Sequence, residues 1–172
     1  MKKLVIEKTT IKKSVMALLL LVSFADAGGM FSIGHKNYGF SLGQDTAYGN
    51  NYSVLGVNAH YFVADNLSVG ASYSLWLGND PSISQITVPV TYYVPLAIPF
   101  RPYVGAFYSH TFMGKVGHVN YDDYNSYGAR VGMSMIASPN SYVSFGWVQE
   151  VYDDGVNKES RGYPEVSGGI SF

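Results

Sequence analysis

The stretch Leu67–Leu77, LSVGASYSLWL, carries the pattern that decides the fold. Its odd-numbered residues are apolar or aromatic, and its even-numbered residues are Ser, Gly or, at position 76, Trp. This period of two is typical of a β-strand with two unlike faces. Ile86–Leu96 repeats the pattern with apolar residues or Tyr at the even positions. A solvated sheet face is normally rich in charged residues, whereas these second faces are mostly small and neutral. We therefore expect them to fill a narrow barrel interior, while the large apolar face meets lipid.

The first 27 residues predict a secretory signal peptide that is removed. A lysine-rich leader precedes the apolar run Val15–Phe24, and Ala25-Asp26-Ala27 is a small-residue cleavage site. The apolar run is too short to span a membrane as a helix. The chain contains no Cys, which excludes both a lipidated cysteine and a disulfide framework. Residues 28–172 are therefore predicted to form a single domain, an outer-membrane β-barrel.

The charge balance of residues 28–172 excludes nucleic acid as a partner. They carry six Lys or Arg and ten Asp or Glu, and the basic residues are not clustered. No further long apolar run follows the leader. A membrane-embedded form of this domain must therefore cross the bilayer as strands that close into a barrel.

The alternating segments divide the domain into eight predicted strands. Connections after the even strands are tight, and those after the odd strands are longer and more polar, which is the asymmetry of an outer-membrane barrel. The longer connections, Gln44–Asn51, Asn79–Ile83, Gly114–Asp123 and Asp153–Ser160, are predicted to face outside the cell. The predicted strands are Met30–Gly43, Tyr52–Val63, Leu67–Gly78, Ser84–Leu96, Arg101–Met113, Tyr124–Ile136, Ser141–Tyr152 and Arg161–Phe172.

Two strands carry irregularities. In the first, Phe31 and Ile33 share one parity and Phe40 shares the other, which predicts a β-bulge between them. Pro89 lies inside the fourth strand and lacks a backbone donor, so we expect a bulge or a missing ladder bond there.

Aromatic residues gather near both ends of the predicted strands, as in the two interfacial girdles of a transmembrane barrel. One set is Tyr61, Phe62, Tyr92, Tyr93, Phe100, Tyr103, Tyr142 and Phe172, and the other is Tyr52, Trp76, Phe112, Tyr124, Tyr152 and Tyr163.

The chain resembles the small eight-stranded outer-membrane β-barrels of the OmpA/OmpX type. The signal peptide, the eight alternating strands and the C-terminal stretch VSGGISF carry this resemblance over essentially the whole domain. It implies an all-β, antiparallel, up-and-down transmembrane barrel in the outer membrane of a Gram-negative bacterium. It also implies that Val166, Ile170 and the terminal Phe172 form the signal that the barrel-assembly machinery reads.

Several charged residues share the parity of the inward-facing positions, which predicts an ionic cluster in the lumen. Arg130, Glu150 and Glu165 belong to three consecutive strands, and Asn58 and His60 extend the polar interior. A buried cluster that satisfies its own charges is the favoured interpretation, and a gate or proton path is the alternative.

No metal or catalytic motif is convincing. His110, His118, Asp122 and Asp123 lack the tight spacing of a metal site. Ser109 and His110 are adjacent, so they face opposite sides of the wall and cannot act as a hydrolase pair. We therefore expect neither a cofactor nor a metal ion, and no enzymatic activity.

The sequence favours a structural or surface-interacting protein, because the lumen of an eight-stranded barrel is just wide enough for its own side chains. Lipid and lipopolysaccharide are the expected surroundings, and the loops Gln44–Asn51, Gly114–Asp123 and Asp153–Ser160 are the expected contact surface for an extracellular ligand. A porin-like narrow channel for a small solute is the alternative, and a lipid A-modifying enzyme is the third hypothesis.

Overall fold

The computed structural model describes residues 29–47, 49–96, 98–115, 122–153 and 158–172. These residues form eight strands, each paired antiparallel with the next, and β8 pairs with β1 to close the barrel. The predicted eight-stranded, up-and-down, all-β fold is thereby confirmed. No helix among the described residues is long and apolar enough to cross a membrane. The strands are β1 Lys36–Ala47, β2 Asn50–Ala64, β3 Leu67–Leu77, β4 Ile83–Tyr93, β5 Phe100–Met113, β6 Tyr124–Ser138, β7 Ser141–Asp153 and β8 Lys158–Ser171.

The barrel has two unlike rims. The terminal rim holds the start of β1, the end of β8 and the connections after β2, β4 and β6. The loop rim holds the connections after β1, β3, β5 and β7. At the terminal rim, β2 reaches β3 through a tight turn in which Asn66 adopts a left-handed backbone with φ 63°. Asn tolerates this conformation better than most residues with a side chain.

Two of the predicted outer loops are shorter than expected. Strand pairing between β1 and β2 continues to Ala47 opposite Asn50, so most of the predicted loop Gln44–Asn51 is strand. Likewise, residues 158–160 pair with β7 and belong to β8 instead of the loop Asp153–Ser160. Alternation continues in polar residues at these strand ends, so the apolar pattern alone predicted strands that are too short. Residues 116–121 of the loop Gly114–Asp123, and 154–157, lie outside the described residues.

The wall has an apolar outer face, as the alternation predicts. Val88 in the middle of β4 is 49% exposed, whereas its neighbour Thr87 is 6% exposed. The same parity holds around the barrel, including β5, where Val104 and Tyr108 point outward. Large side chains exposed on the outer face include Tyr38, Phe40, Leu42, Leu55, Val57, Val69, Tyr73, Leu75, Ile86, Val88, Val90, Val104, Tyr108, Tyr127, Val131, Met133, Phe145, Trp147, Val166 and Ile170.

The missing ladder bonds expected at Pro89 are confirmed. The pairing of β3 with β4 runs to Val69 opposite Val90 and resumes at Ser72 opposite Thr87, with the register unchanged. On its other side, Pro89 pairs with Phe107 without interruption. The absent Pro donor therefore opens one seam locally and leaves the barrel closed.

The predicted start of the first strand is wrong. The strand begins at Lys36, and residues 29–35 form turns that fold into the terminal rim, so no β-bulge joins the two halves. Gly34 has φ 88°, which a residue with a side chain rarely adopts, and it redirects the chain. Phe31 is consequently buried inside the barrel and does not face lipid.

The two predicted aromatic girdles are also partly wrong, because many of their members point inward. Tyr61, Phe100, Phe112 and Phe172 are exposed on the outer side. The inward members, by contrast, fill the two ends of the lumen. They are Phe62, Tyr93, Tyr103 and Tyr142 toward the terminal rim, and Tyr52, Trp76, Tyr124, Tyr152 and Tyr163 toward the loop rim.

Candidate functional site

The lumen is the candidate site, and an ion pair lies at its centre. Arg130 of β6 and Glu165 of β8 both point inward, and Arg130 Nη2 lies 3.6 Å from Glu165 Oε2. Their side chains are 19% and 13% exposed. Arg130 lies opposite Val148 on β7, as the turn at Ser138-Pro139-Asn140 predicts. Its guanidinium also lies 5.7 Å from the centre of the Phe107 ring, a distance typical of a cation–π contact.

Two small cavities flank this ion pair, and Arg130 and Glu165 line both. The cavity toward the loop rim has a volume of about 50 Å³ and is bounded by Trp76, Gln85 and Thr87, among others. The cavity toward the terminal rim has a volume of about 20 Å³. Roughly 10–15 Å³ of such space suffices for one water molecule. These two cavities therefore have room for a few water molecules.

The second cavity is lined by the polar residues that the parity predicted. Asn58 and His60 of β2 point into it, together with Thr91. Asn58 Oδ1, His60 Nδ1 and Thr91 Oγ1 are buried and have no hydrogen-bond partner within the described protein. The Nε of Arg130 and the Oε2 of Glu165 share this property. Buried polar atoms beside a space of water size are typical of a hydrated chamber.

A second ionic group lies nearer the loop rim. Arg161 of β8 donates from Nε and Nη2 to Glu150 Oε2, at 3.0 and 2.8 Å. Asp45 Oδ2 lies 3.3 Å from Arg161 Nε. Glu150 has no exposure, and its other oxygen accepts hydrogen bonds from Ser126 Oγ at 2.5 Å and Gln85 Nε2 at 3.0 Å. This fully buried carboxylate is well satisfied, as its location requires.

The structure thus separates the predicted three-residue cluster into two. Arg130 is paired with Glu165, whereas Glu150 is bound by Arg161, a residue absent from the predicted cluster. Arg161 has the same parity as Glu165 in β8, so the alternation itself contained the signal. The apolar pattern ends near Arg161, which places this residue at the predicted start of the strand and conceals its inward orientation.

Aromatic clusters close both ends of this polar column. At the loop rim, Trp76 packs against Tyr52 with ring centroids 5.6 Å apart, and Ile83 completes the cluster. Arg161 covers the Trp76 ring at 4.7 Å. The terminal cluster consists of Met30, Phe31, Phe62, Tyr93, Tyr103 and Tyr142.

The remaining residues considered for catalysis or metal binding do not lie together in one site. Ser109 is buried and shares a hydrogen bond of 2.8 Å with Thr87, whereas His110 lies on the opposite side of the wall and binds Asn125 through Nδ1. Asp123 accepts a hydrogen bond from the backbone of Met113. Among the described residues, no group of three or more His, Asp or Glu could hold a metal ion. His118 lies outside those residues.

The three residues of the implied assembly signal lie on the outer side of the barrel, two in β8 and the third, Phe172, directly after it. Val166, Ile170 and Phe172 are all exposed there. The backbone of Phe172 exchanges two hydrogen bonds with Lys36, at 2.9 and 3.0 Å, and its ring lies 6.2 Å from that of Tyr38. The C-terminal residue therefore takes part in closing the barrel.

A closed wall of eight strands, apolar outside and filled with side chains inside, defines the class of small transmembrane β-barrels. Comparison with solved structures supports this class. The fold is similar to the N-terminal β-barrel domain of Pseudomonas aeruginosa OprF (TM-score 0.62, 15% identity), covering 84% of this chain and 100% of that chain. It is similar to Neisserial surface protein A (TM-score 0.60, 15% identity, 80% of this chain and 94% of that one).

Ail, the attachment invasion locus protein of Yersinia pestis, also has a similar fold (TM-score 0.51, 13% identity, 81% of this chain and 99% of that one). Neither a protein-family model nor a curated protein sequence matches the chain. The expected resemblance to small outer-membrane barrels is thereby confirmed at the level of the fold.

Proposed function

We propose that the protein is an integral outer-membrane barrel with a closed lumen and a structural or surface-contacting role. The observation that carries this proposal is the sealing of the lumen at both ends by buried aromatic side chains. A space of about 50 Å³ between them has room for a few water molecules. A solute would have to displace several tightly packed rings to pass.

Two independent features support the location in the outer membrane of a Gram-negative bacterium. The wall presents large apolar side chains on its outer face, which need lipid around them. The solved barrels that share the fold include proteins of Pseudomonas aeruginosa and Yersinia pestis. In this proposal residues 1–27 are the removed signal peptide, the terminal rim faces the periplasm, and lipopolysaccharide surrounds the loop rim. The barrel-assembly machinery reads the end of β8.

Contact with molecules outside the cell is assigned to the loop rim, because the terminal rim faces the periplasm in this proposal and the wall is covered by lipid. Two of the solved barrels with this fold are described as a surface protein and an attachment invasion locus protein. Of the loops, Gly114–Asp123 is the longest, and Lys115, Asp122 and Asp123 at its described ends are exposed. It is the first segment to alter in a search for a contact partner.

Electrical recording tests the closed lumen. Purified protein in planar lipid bilayers should show no steady open channel, and proteoliposomes should not swell in small sugars. An Arg130→Met variant should behave in the same way, because the seals lie at the ends of the lumen. A steady conductance that persists after this substitution would replace the proposal with the alternative, a narrow channel for a small solute.

A further inference from the structure

The terminal mouth of the barrel is filled by a segment that belongs to none of the strands. Residues 29–35 turn back toward the lumen, and Gly29 and Gly34 adopt left-handed backbones with φ 118° and 88°. Met30 and Phe31 are both 3% exposed. Ile33, in contrast, is 62% exposed on the same segment. The segment thus presents one face to the barrel, as a bound peptide does.

The barrel supplies a specific pocket for the Phe31 ring. Its centroid lies 4.7 Å from Tyr93 and 5.7 Å from Phe62, which it meets edge to face. Tyr142 lies 6.2 Å away. The guanidinium of Arg101 lies over the Phe31 ring at 4.9 Å, within the range of a cation–π contact. A ring surrounded by offset and edge-on aromatic partners is the arrangement that aromatic side chains prefer.

The backbone of the segment is held by hydrogen bonds to the body of the barrel. Asn66 donates to the Phe31 carbonyl at 2.7 Å, and Gly34 donates to the Phe62 carbonyl at 2.9 Å. Phe62 in turn donates to the carbonyl of His35 at 3.0 Å. Asp65 Oδ1 accepts from the backbone of Ile33 at 2.9 Å. The segment is thus held both by main-chain hydrogen bonds and by a side-chain pocket, although its own backbone forms turns.

The segment also separates the hydrated chamber from the terminal mouth. Tyr93, Tyr103 and Tyr142 pack in the same cluster as Met30 and Phe31. The same three tyrosines line the cavity of about 20 Å³ on their other side. Withdrawal of Phe31 would therefore leave a single layer of tyrosine side chains between the mouth and the chamber.

We propose that the terminal mouth is a binding site for a short peptide segment carrying an aromatic side chain, and that residues 29–35 occupy it as a tethered ligand. This inference rests on the closed lumen of the proposed function and adds a site to it. In the proposed orientation the site opens toward the periplasm. When the tethered segment leaves, only the layer of Tyr93, Tyr103 and Tyr142 covers the chamber, so the chamber opens more often, and a free peptide of the same chemistry seals the mouth again.

A cysteine reporter tests this proposal, because the natural chain has no Cys. Ser144 is buried and lines the cavity beneath the tyrosines. The Ser144→Cys variant, folded in detergent micelles, is treated with a small charged methanethiosulfonate. The reaction should be slow in this background and about tenfold or more faster after Phe31→Ala, since opening of the mouth then costs less free energy. Ile33→Ala is the matched control and should leave the rate unchanged.

A synthetic peptide then tests binding in trans. The acetylated peptide GMFSIGH, which reproduces residues 29–35, is added to the full chain carrying Phe31→Ala and Ser144→Cys. It should protect the introduced thiol from reaction, because occupied protein opens less often. The peptide GMASIGH should not protect. Electrophoretic mobility of the unheated protein establishes that each variant contains a folded barrel.

The outcomes separate the two proposals. Fast reaction of the introduced thiol in the background with Phe31 intact would contradict the closed lumen itself. Slow reaction in both backgrounds would keep the closed lumen and remove Phe31 as its seal, which overturns the binding site. A fast reaction after Phe31→Ala that GMFSIGH fails to slow would also overturn the peptide-binding proposal, while the seal remains.

Discussion

The guanidinium of Arg161 lies 2.8 Å from the carboxylate of Glu150, which has no solvent exposure. This pair connects several groups in the half of the lumen nearer the loop rim, because Arg161 also reaches Asp45 at 3.3 Å and covers the Trp76 ring at 4.7 Å. The central pair, Arg130 with Glu165, is longer and more exposed. The two ionic groups of the lumen should therefore differ strongly in their effect on stability.

Removal of Arg161 should destabilise the barrel markedly. Arg161→Met leaves the buried carboxylate of Glu150 without its cation, and breaking a buried pair in this way costs about 3–5 kcal/mol. Glu150→Gln should recover part of that loss in the double variant, since the remaining group is then neutral. Urea titration of the barrel in lipid vesicles measures these free energies of unfolding. If the double variant is no more stable than the single one, the pair is not coupled as described.

Removal of Arg130 should cost less. Arg130 and Glu165 adjoin cavities with room for water, which can solvate the carboxylate left behind. We expect Arg130→Met to cost about 1–2 kcal/mol, below the range for a dry buried pair. The same titration compares it with Arg161→Met. Equal losses of unfolding free energy in the two variants would show that the centre of the lumen is as dry as the surroundings of Arg161 and Glu150.

If the outer face meets lipid, the cost of placing a charge on that face should depend on its depth in the bilayer. Val88 lies in the middle of β4, and Val88→Arg should cost about 2–4 kcal/mol in lipid, because a cation at the bilayer midplane loses its solvation. Leu77 is equally exposed at 49%, but it lies at the end of β3 near the loop rim. Leu77→Arg should cost about 1 kcal/mol or less. Equal costs at the two positions would contradict the placement of the bilayer around the barrel.

The close contact between Tyr103 and Gly146 gives another test. Gly146 lies beneath the Tyr103 ring, and a methyl group added there would overlap the Tyr103 hydroxyl. Gly146→Ala should therefore cost about 1–3 kcal/mol, as overpacking does. Tyr103→Phe removes the overlapping oxygen and should reduce the penalty of Gly146→Ala in the double variant. Gly43→Ala is the control, since its nearest neighbour, the Pro164 carbonyl, would lie at an ordinary 3.5 Å.

Much of the wall could be predicted from the sequence, because alternation fixes which side chains point inward once a strand is recognised. Val88, Thr87 and Arg130 all lie on the predicted side. The errors concern residues for which the period of two carries no information. Phe31 is apolar and close to a strand, and only the tertiary pocket formed by strands distant in sequence decides that it turns inward.

The ion pairs within the lumen also could not be predicted from the sequence alone. Parity places Arg130, Glu150, Arg161 and Glu165 on one face, but it does not determine which cation reaches which carboxylate. That choice depends on the stagger of the strands and on side-chain length. The observed arrangement sets Arg161 on β8 directly opposite Glu150 on β7.

The final prediction separates assembly from stability at the C-terminus. The Phe172 side chain is 68% exposed, and its backbone closes β8 onto Lys36 through bonds that any residue can make. Phe172→Ala should therefore refold into lipid vesicles to the same extent as the unaltered protein. In cells, the same variant should accumulate less folded protein in the outer membrane if the terminal aromatic ring is read during assembly.

Lys36→Ala, which keeps the closing backbone bonds, is the control and should reach normal levels. Normal levels of the Phe172→Ala barrel in cells would remove Phe172 from the assembly signal, whereas failure to refold in vitro would show that the ring instead stabilises the closed barrel.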